Sequence, residues 1–462
     1  MSRFHGETDT IAARATPPGE GAIAVVRISG PLSHSIMNKC FKKHARDNSD
    51  KYNYITLGFF FHPEKKNPID EVFRVLFRSP HSYTGEDSAE IYCHGSPAVV
   101  SGILEALFSL GARHAEPGEF TRRAFLNGKM DLTEAEAVCD LIRARTDKAA
   151  RLAFKQLEGG LAQKVRAIRQ KVISASAEIE ASLDFPDESG NYHPDKIIRE
   201  LSDARQDILD LLEQGRKARI YRKGAKVVLT GRPNTGKSSL FNDLLKMERA
   251  IVTAHPGTTR DSIEGTVDLE GCPVTFVDTA GIRTDAGEIE RLGMDRTHRE
   301  MSQADLVLFL IDISEPLLPE DFKILNRLED QDMILILNKC DLKRQLKDSE
   351  LDDFRVKASH EVKVSALTGD GLRELEREII DMLLSDAQAE ENEIVTNERH
   401  NNLLSQSADE LFAAIEGLHE NRFEELIMIN LREASLFLAR ITGEETGDEV
   451  LDVIFSRFCI GK

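Results

Sequence analysis

Residues 231–238 read Gly-Arg-Pro-Asn-Thr-Gly-Lys-Ser, a GxxxxGKS/T pattern lying between the apolar run 226–230 and a helix-like stretch that begins near Ser238. This feature constrains the chain most, because the pattern works only as a loop joining a strand to a helix N-terminus. Backbone N–H groups of such a loop, backed by the positive end of the helix, form a cradle for phosphate groups. Lys237 would reach the outer phosphate oxygens and the Ser238 hydroxyl would bind Mg²⁺, with Asn234, Thr235, Gly236 and Ser239 completing the wrap. Around the loop, short apolar strands at 226–230, 274–277, 306–311, 333–337 and 362–364 alternate with helical stretches. That alternation describes a parallel sheet flanked by helices.

Three further short motifs follow at successive strand ends. Asp278-Thr279-Ala280-Gly281 comes after one strand, where the aspartate can hold Mg²⁺ through water and the Gly281 amide can meet a γ-phosphate. Asn338-Lys339-Cys340-Asp341 ends a later strand and Ser365-Ala366 ends the last. The Asp341 carboxylate can accept two hydrogen bonds from guanine, whereas adenine would strand a buried anion. Four such motifs in this order resemble the Ras-like GTPase superfamily, which implies an α/β P-loop G domain binding GTP.

The catalytic details depart from Ras-like signalling proteins. The position that holds a water-orienting glutamine there is Ile282 here, which has no side-chain hydrogen-bonding group. Glu288 and Glu290 are the nearby carboxylates that could orient the water. Asn234, followed by Thr253-Ala-His255-Pro-Gly-Thr258-Thr259-Arg-Asp, either only shapes the loop or ligates a monovalent cation such as K⁺ in place of an arginine finger. Thr258 or Thr259 would complete the Mg²⁺ site.

At 462 residues the chain has length for about three domains. The first 125 residues read as α+β, with strand-like runs at 22–29, 54–61, 71–78 and 89–93 and a helix opened by Ser96-Pro97. Thr133 and Glu136 form a capping-box pattern opening a helix that continues to the Gly159-Gly160 pair. Further helices are expected at 161–183, from the loop 186–195 to about residue 214, and over 401–441. Thr446 and Glu449 would open a last helix turning Val450, Leu451, Ile454 and Phe455 to a core. The division is therefore 1–125, a helical domain in two parts at 126–222 and 385–462, and the α/β domain at 223–384 inserted into it.

The net charge is −19, and residues 385–462 alone carry 17 acidic and 6 basic residues. Such acidity argues against a freestanding basic nucleic-acid binder. The longest apolar run, about 306–311, falls far short of the ~20 residues that span a bilayer. The start MSRFHGETDT has neither a basic segment nor an apolar core, so no secretory signal is expected. Six scattered cysteines without a CxxC pair fit a reducing cytoplasm and give no zinc site.

The opening TIAARATPPGEGAIAVVRISG, the blocks SYTGEDSAEIYCHG and PGEFTRRAFLNGKMDL, the phosphate loop, GTTRD, DTAGIR and the terminal FCIGK together resemble the MnmE (TrmE) family of tRNA modification GTPases, of the TrmE-Era-EngA-like superfamily, over essentially the whole chain. The resemblance implies a homodimer joined through N-terminal domains that each bind 5,10-methylene- or 5-formyl-tetrahydrofolate. It implies a K⁺- and Mg²⁺-dependent GTP hydrolase that works on tRNA in a heterotetramer with an FAD-containing partner, MnmG (GidA). The product would be an aminomethyl or carboxymethylaminomethyl group on C5 of the wobble uridine. Carried over by motif, Arg27, Glu90, Lys129 and Lys462 contact the folate. Asn234, Thr253, His255 and Thr258 hold K⁺, Ser238 and Thr259 hold Mg²⁺, and Glu290 orients the water. Cys459, in the terminal motif, is either a catalytic thiol or a packed one. The competing expectation is an Era-like switch GTPase that binds ribosomal RNA, which the acidic tail counts against.

Overall fold

In the computed structural model, which describes residues 9–44, 51–65, 67–184, 193–247, 263–278, 301–328, 331–384 and 397–462, the alternation in GAIAVVRIS turns Ala24, Val26 and Ile28 inward. Period-two alternation of this kind makes a strand with one buried face. The N-terminal elements are β1 (Ile11–Arg14), β2 (Gly21–Ser29), α1 (Ser33–Cys40), β3 (Phe41–Lys43), β4 (Thr56–Phe61), β5 (Pro68–Phe77), β6 (Ser88–Gly95), α2 (Pro97–Ser109), β7 (Arg113–His114) and α3 (Glu119–Leu126). Among the described residues they form a seven-stranded sheet in the order β3-β4-β5-β6-β2-β1-β7, antiparallel except for β1 with β7. Ile36 and Met37 of α1 and Ile103 and Leu107 of α2 pack on the inward face, so the opposite face is left for other work.

The helical part comprises α4 (Leu132–Arg143), α5 (Asp147–Leu157), α6 (Gly160–Asp184) and α7 (Pro194–Lys223), and later α12 (Glu398–His419), α13 (Glu424–Thr442) and α14 (Asp448–Phe455). Between them run β8 (Ala225–Thr230), α8 (Lys237–Met247), β9 (Ile263–Leu269), β10 (Cys272–Asp278), β11 (Leu306–Asp312), α9 (Pro319–Leu325), β12 (Met333–Asn338), α10 (Asp352–Lys357), β13 (His360–Lys363) and α11 (Leu372–Leu384). Two compact units result: Met1–Cys139, Leu157–Ala204 and Asp409–Lys462 in one, Asp140–Gln156 and Arg205–Ala408 in the other.

Among the described residues the second unit holds a six-stranded sheet in the order β13-β12-β11-β8-β10-β9. Strands β11 and β12 are buried along their whole lengths, as strands covered on both faces must be. Leu240 and Leu244 of α8 with Leu375 and Ile379 of α11 cover one face. Leu325 of α9 and Phe354 of α10 cover the other. The chain leaves β8 toward β10 on one side and later returns to β11 on the other, which opens a crevice beyond the carboxyl end of β8.

Several local expectations are corrected. The sheet is not all parallel: β9 runs antiparallel to β10 through a Glu270-Gly271 turn with φ of 49° and 86°, the positive pair a tight hairpin needs. The cap of α4 is Asp131, whose Oδ1 accepts the Thr133 and Glu134 amides at 2.9 and 3.0 Å while Glu134 accepts the Asp131 amide. A carboxylate two positions earlier outcompetes the Thr133 hydroxyl, which itself donates to Asp131. The expected single helix to Gly159 breaks at 144–146, where Thr146 caps the Ala149 amide and donates to the Gly271 carbonyl at 2.7 Å. Helix α7 continues past residue 214 to Lys223, and the helical stretch 401–441 turns at Asn421, φ 52°. Helix α14 starts at Asp448 with Gly447 as N-cap, so Thr446 caps nothing, and Val450 faces solvent while Leu451, Ile454 and Phe455 are buried. Residues 186–192 of the expected loop lie outside the described residues.

Candidate functional site

Strand β8 ends at Thr230, and the GRPNTGKS loop follows it. Gly236 sits at φ 95°, and a Cβ there would lie 2.2 Å from the Asn338 side-chain nitrogen. Only glycine meets both demands. Asn234 is exposed at the loop crest and holds φ 65° without being glycine, a conformation asparagine tolerates better than most. Thr235 is buried and donates to the Arg232 carbonyl, while Arg232 pairs with the fully buried Asp321 at 2.8 Å. Lys237 bonds back to the Gly231 and Arg232 carbonyls, so its ammonium is already held at the loop. Ser238 and Ser239 are exposed on the first turn of α8.

The Ser238 hydroxyl donates to Asp278 Oδ2 at 2.7 Å, and the Asp278 side chain is almost wholly buried. Two oxygen groups of the kind Mg²⁺ takes are thus adjacent. On the base side, Asn338 Nδ2 donates to the Thr235 carbonyl at 2.7 Å and its Oδ1 accepts the Ala366 amide at 3.1 Å. One buried amide therefore ties the phosphate loop to the last motif. The Ser365 hydroxyl donates to Asp341 Oδ1 at 2.6 Å, which aims that carboxylate. Lys339 pairs with Asp312. Thr253, His255, Thr258, Thr259, Thr279, Ala280, Gly281, Ile282, Glu288 and Glu290 lie outside the described residues.

A second site lies on the outward face of the N-terminal sheet. Antiparallel register sets Arg27 of β2 opposite Glu90 of β6, on the face that alternation turns away from the core. Arg27 Nε and Nη2 both bond Glu90 Oε1, at 2.9 and 2.8 Å. The Tyr92 hydroxyl donates to Glu90 Oε2 at 2.7 Å. Burial and the Glu90 carboxylate together push that phenol up to about 12. The Arg27 guanidinium lies 4.9 Å from the Tyr83 ring centroid, within cation–π range. Arg27, Tyr83 and Glu90, with Lys129, Asn53, Phe77 and His81, line a cavity of about 300 Å³.

The end of the chain reaches the same wall. Gly461 accepts a hydrogen bond from Arg27 Nη1 at 3.4 Å, and the Lys462 ammonium is 5.8 Å from the Tyr83 ring centroid. Phe455 and Phe458 anchor this segment by packing with Leu132, Ala135 and Val138. Each buried phenylalanine of that kind is worth roughly 1.5–3 kcal/mol. Cys459 is exposed and outside the cavity lining, while its carbonyl accepts the Gly118 and Lys462 amides.

Comparison with known proteins decides the family. A crystal structure of Aquifex aeolicus Era is 25% identical, covering 40% of this chain and 66% of that one, but its TM-score of 0.29 carries no argument. A profile described as the MnmE helical domain matches residues 132–459, and one described as the GTP-binding protein TrmE N-terminus matches residues 10–129. The tRNA modification GTPase MnmE of Natranaerobius thermophilus is 43% identical over 458 residues, covering 98% of this chain and 99% of that protein. That of Thermotoga maritima is 41% identical over 455 residues, covering 98% and 100%. The chain belongs to the MnmE family of tRNA modification GTPases.

In this MnmE-family chain, sequence reasoning missed several residues that line or brace the two sites. Tyr83 lies inside the quoted SYTGED block, and Tyr92 stands two positions after Glu90, where strand periodicity alone puts it on the same face. Asp312, a lone acid closing the apolar strand LVLFLID, carried the same kind of signal. Asn53 had none, because it is brought to the cavity by a turn at φ 56°.

Proposed function

We propose that this chain is a K⁺-dependent GTPase that, with the flavoprotein MnmG (GidA), adds an aminomethyl or carboxymethylaminomethyl group to C5 of the wobble uridine of tRNA. As a member of the MnmE family it is a GTP hydrolase of tRNA modification. The finer parts of the reading rest on the two sites. Lys237 neutralises the outer phosphate oxygens of GTP, Ser238 and Asp278 with Thr259 would hold Mg²⁺, and the Ser365-braced Asp341 reads guanine. Mg²⁺ would supply charge neutralisation as the γ-phosphoryl group leaves. Glu290 is assigned to orient the attacking water, since Ile282 has no group to do so.

For K⁺, the exposed left-handed Asn234 supports the reading, with Thr253, His255 and Thr258 as the other assigned ligands. For the N-terminal site, the single observation that carries the reading is the meeting of Arg27, Glu90 and the C-terminal Gly461-Lys462 at one cavity wall. A carboxylate suits a pterin's N–H donors, and Arg27, Lys129 and Lys462 suit the carboxylates of a folate. When bound, tetrahydrofolate would supply the one-carbon unit. Cys459, an exposed thiol in the same terminal segment, is kept as a candidate nucleophile. The outward sheet face also carries exposed Ile23, Leu57 and Phe73, and an apolar patch of this kind supports homodimer formation through the N-terminal domain. Among the described residues no helix is long and apolar enough to cross a membrane, and the free cysteines fit the cytoplasm.

The test is to analyse wobble uridines by mass spectrometry in cells lacking this chain and in cells carrying only Glu90→Ala. The expected result is loss of the C5 group in both, with GTP hydrolysis by Glu90→Ala intact. Unchanged wobble uridines together with defective ribosomal particles would replace this reading with that of an rRNA-binding switch.

A further inference from the structure

Arg232 is the second residue of the phosphate loop, and its side chain is only 7% exposed. A guanidinium is costly to bury unless its N–H groups find acceptors. Here Nε donates to Asp321 Oδ1 at 2.9 Å and lies 2.8 Å from Oδ2, while Nη2 donates to the Pro316 carbonyl at 3.4 Å. Asp321 is fully buried, and its Oδ2 also accepts the Leu318 amide at 2.9 Å. The arginine is therefore held by the stretch that joins β11 to α9. Sheet order explains the meeting. Strand β11 runs parallel to β8 with Phe309 opposite Thr230, so both strands end on the same side of the sheet. The connection leaving β11 then passes the loop leaving β8.

What the pair fixes is the backbone of residue 232. The Arg232 carbonyl accepts the Thr235 hydroxyl at 2.9 Å and also the Lys237 ammonium. The Thr235 carbonyl in turn accepts Asn338 Nδ2 at 2.7 Å. Three segments are thus linked in series: Asp321 to Arg232, Arg232 to Thr235 and Lys237, and Thr235 to Asn338. A cradle of backbone N–H groups binds phosphate well only when those groups already point to a common centre, because ordering them on binding costs affinity. Gly231 and Gly236, at φ of 142° and 95°, give the loop more conformational freedom than other residues would. Something outside the loop must hold its shape. Asn338 does so at one end, and the buried Arg232–Asp321 pair does so at the other.

Resting on the GTP reading of this site, we propose that Asp321 is a positioning residue for the phosphates: through Arg232 it sets the carbonyl that holds Thr235 and Lys237, and so keeps the cradle in its binding shape before nucleotide arrives. The effect falls on the phosphates, so GDP, GTP and inorganic pyrophosphate should respond alike. The choice of base, assigned to Asp341, should not respond.

The test measures GDP and GTP affinity against a fluorescent guanine nucleotide, displacement of that nucleotide by pyrophosphate, the preference for GDP over inosine diphosphate, and melting temperature. Asp321→Asn should weaken GDP, GTP and pyrophosphate each about tenfold, the scale of one hydrogen bond to a charged group. The preference over inosine diphosphate, which lacks the 2-amino group, should stay at the wild-type value. Because Asp321→Asn leaves a buried guanidinium poorly paired, the double variant Arg232→Met with Asp321→Leu is measured beside it; it leaves neither charge behind and should recover the melting temperature. It should still bind all three ligands about tenfold more weakly, because the link to the Arg232 backbone is gone. That separation of affinity from stability distinguishes positioning from bulk support. Wild-type affinity in either variant would overturn the proposal. So would a loss of GDP affinity that spares pyrophosphate, a changed preference over inosine diphosphate, or failure of both variants to fold, which would make the pair a brace of the whole domain. A wild-type chain that bound no GDP would overturn the GTP reading itself.

Discussion

The nucleotide site and the N-terminal cavity use similar groups, cations beside a carboxylate, but assemble them by opposite routes. In the nucleotide site each described group lies within a few residues of the carboxyl end of a strand: Lys237 and Ser238 after β8, Asp278 at β10, Asn338 and Asp341 at β12, Ser365 after β13. Sheet register alone brings these ends together. The cavity instead gathers Arg27, Tyr83, Glu90 and Lys129 from the N-terminal elements, and Lys462, from the far end of the chain, lies against the Tyr83 ring. One site is local and backbone-built; the other depends on a docked chain end. The two should therefore fail in different ways.

The largest effect is expected where the backbone-built site leaves no room. Gly236→Ala would place a methyl 2.2 Å from the Asn338 amide nitrogen, at φ 95°. Asn338 cannot yield, because its amide already joins Thr235 to Ala366. GTP affinity should fall at least ~100-fold, the combined cost of left-handed strain and a broken buried amide. Titration with a fluorescent guanine nucleotide reads it, and near-normal affinity would show that the loop is more adaptable than this packing implies. The N-terminal cavity should be untouched, with affinity for the proposed folate unchanged.

The converse substitution breaks the docked end. At Gly461, φ 93°, an added Cβ would sit 2.2 Å from the Arg14 carbonyl oxygen, a backbone atom with no rotamer to change. Gly461→Ala should lift the terminal segment, removing its carbonyl from Arg27 and carrying Lys462 off the cavity wall. Affinity for the proposed folate should drop roughly tenfold, the worth of about one to two charge-assisted contacts, while GTP turnover stays at the wild-type value. Loss of both activities together would show that the chain end supports more than the cavity.

The same contrast explains what could be read in advance. The closeness of the phosphate-loop residues, Asn338, Asp341 and Ser365, and of Ser238 to Asp278, is legible because each motif is short and sits at a strand end. That Arg27 and Lys462 come near one another was open only to family resemblance, since no spacing connects them. Tertiary contact also decided the misread boundaries. The break at 144–146 contains neither glycine nor proline, and Thr146 holds it through a carbonyl on the distant β9–β10 turn. Strand β9, IEGTVDL, hid behind an interior glycine whose absent side chain admits Leu245; a Cβ there would come within 2.4 Å of that leucine. Asp131 displaced Thr133 as a cap because a carboxylate is the stronger acceptor for two amides.

The smallest effect concerns the charge at the docked end. Burial first, and then the Arg27 charge, lower the Lys462 pKa against a smaller upward pull from Glu90. The folded chain therefore gives up this proton at a lower pH than the unfolded chain, whose lysine keeps it to about 10.4. Between those two values the unfolded chain binds more protons, so stability rises with pH; below the lowered value the cost of the buried charge is present in full. Lys462→Met should thus raise the melting temperature at neutral pH by roughly 1–3 °C. That gain should shrink as pH climbs toward the ordinary lysine value. An anionic folate reverses the sign: its carboxylate would pair with the ammonium, so saturating ligand should stabilise the wild type more than Lys462→Met. A melting curve that responds to folate equally in both chains would remove Lys462 from the cavity's charge complement and leave anion binding there to Arg27 and Lys129.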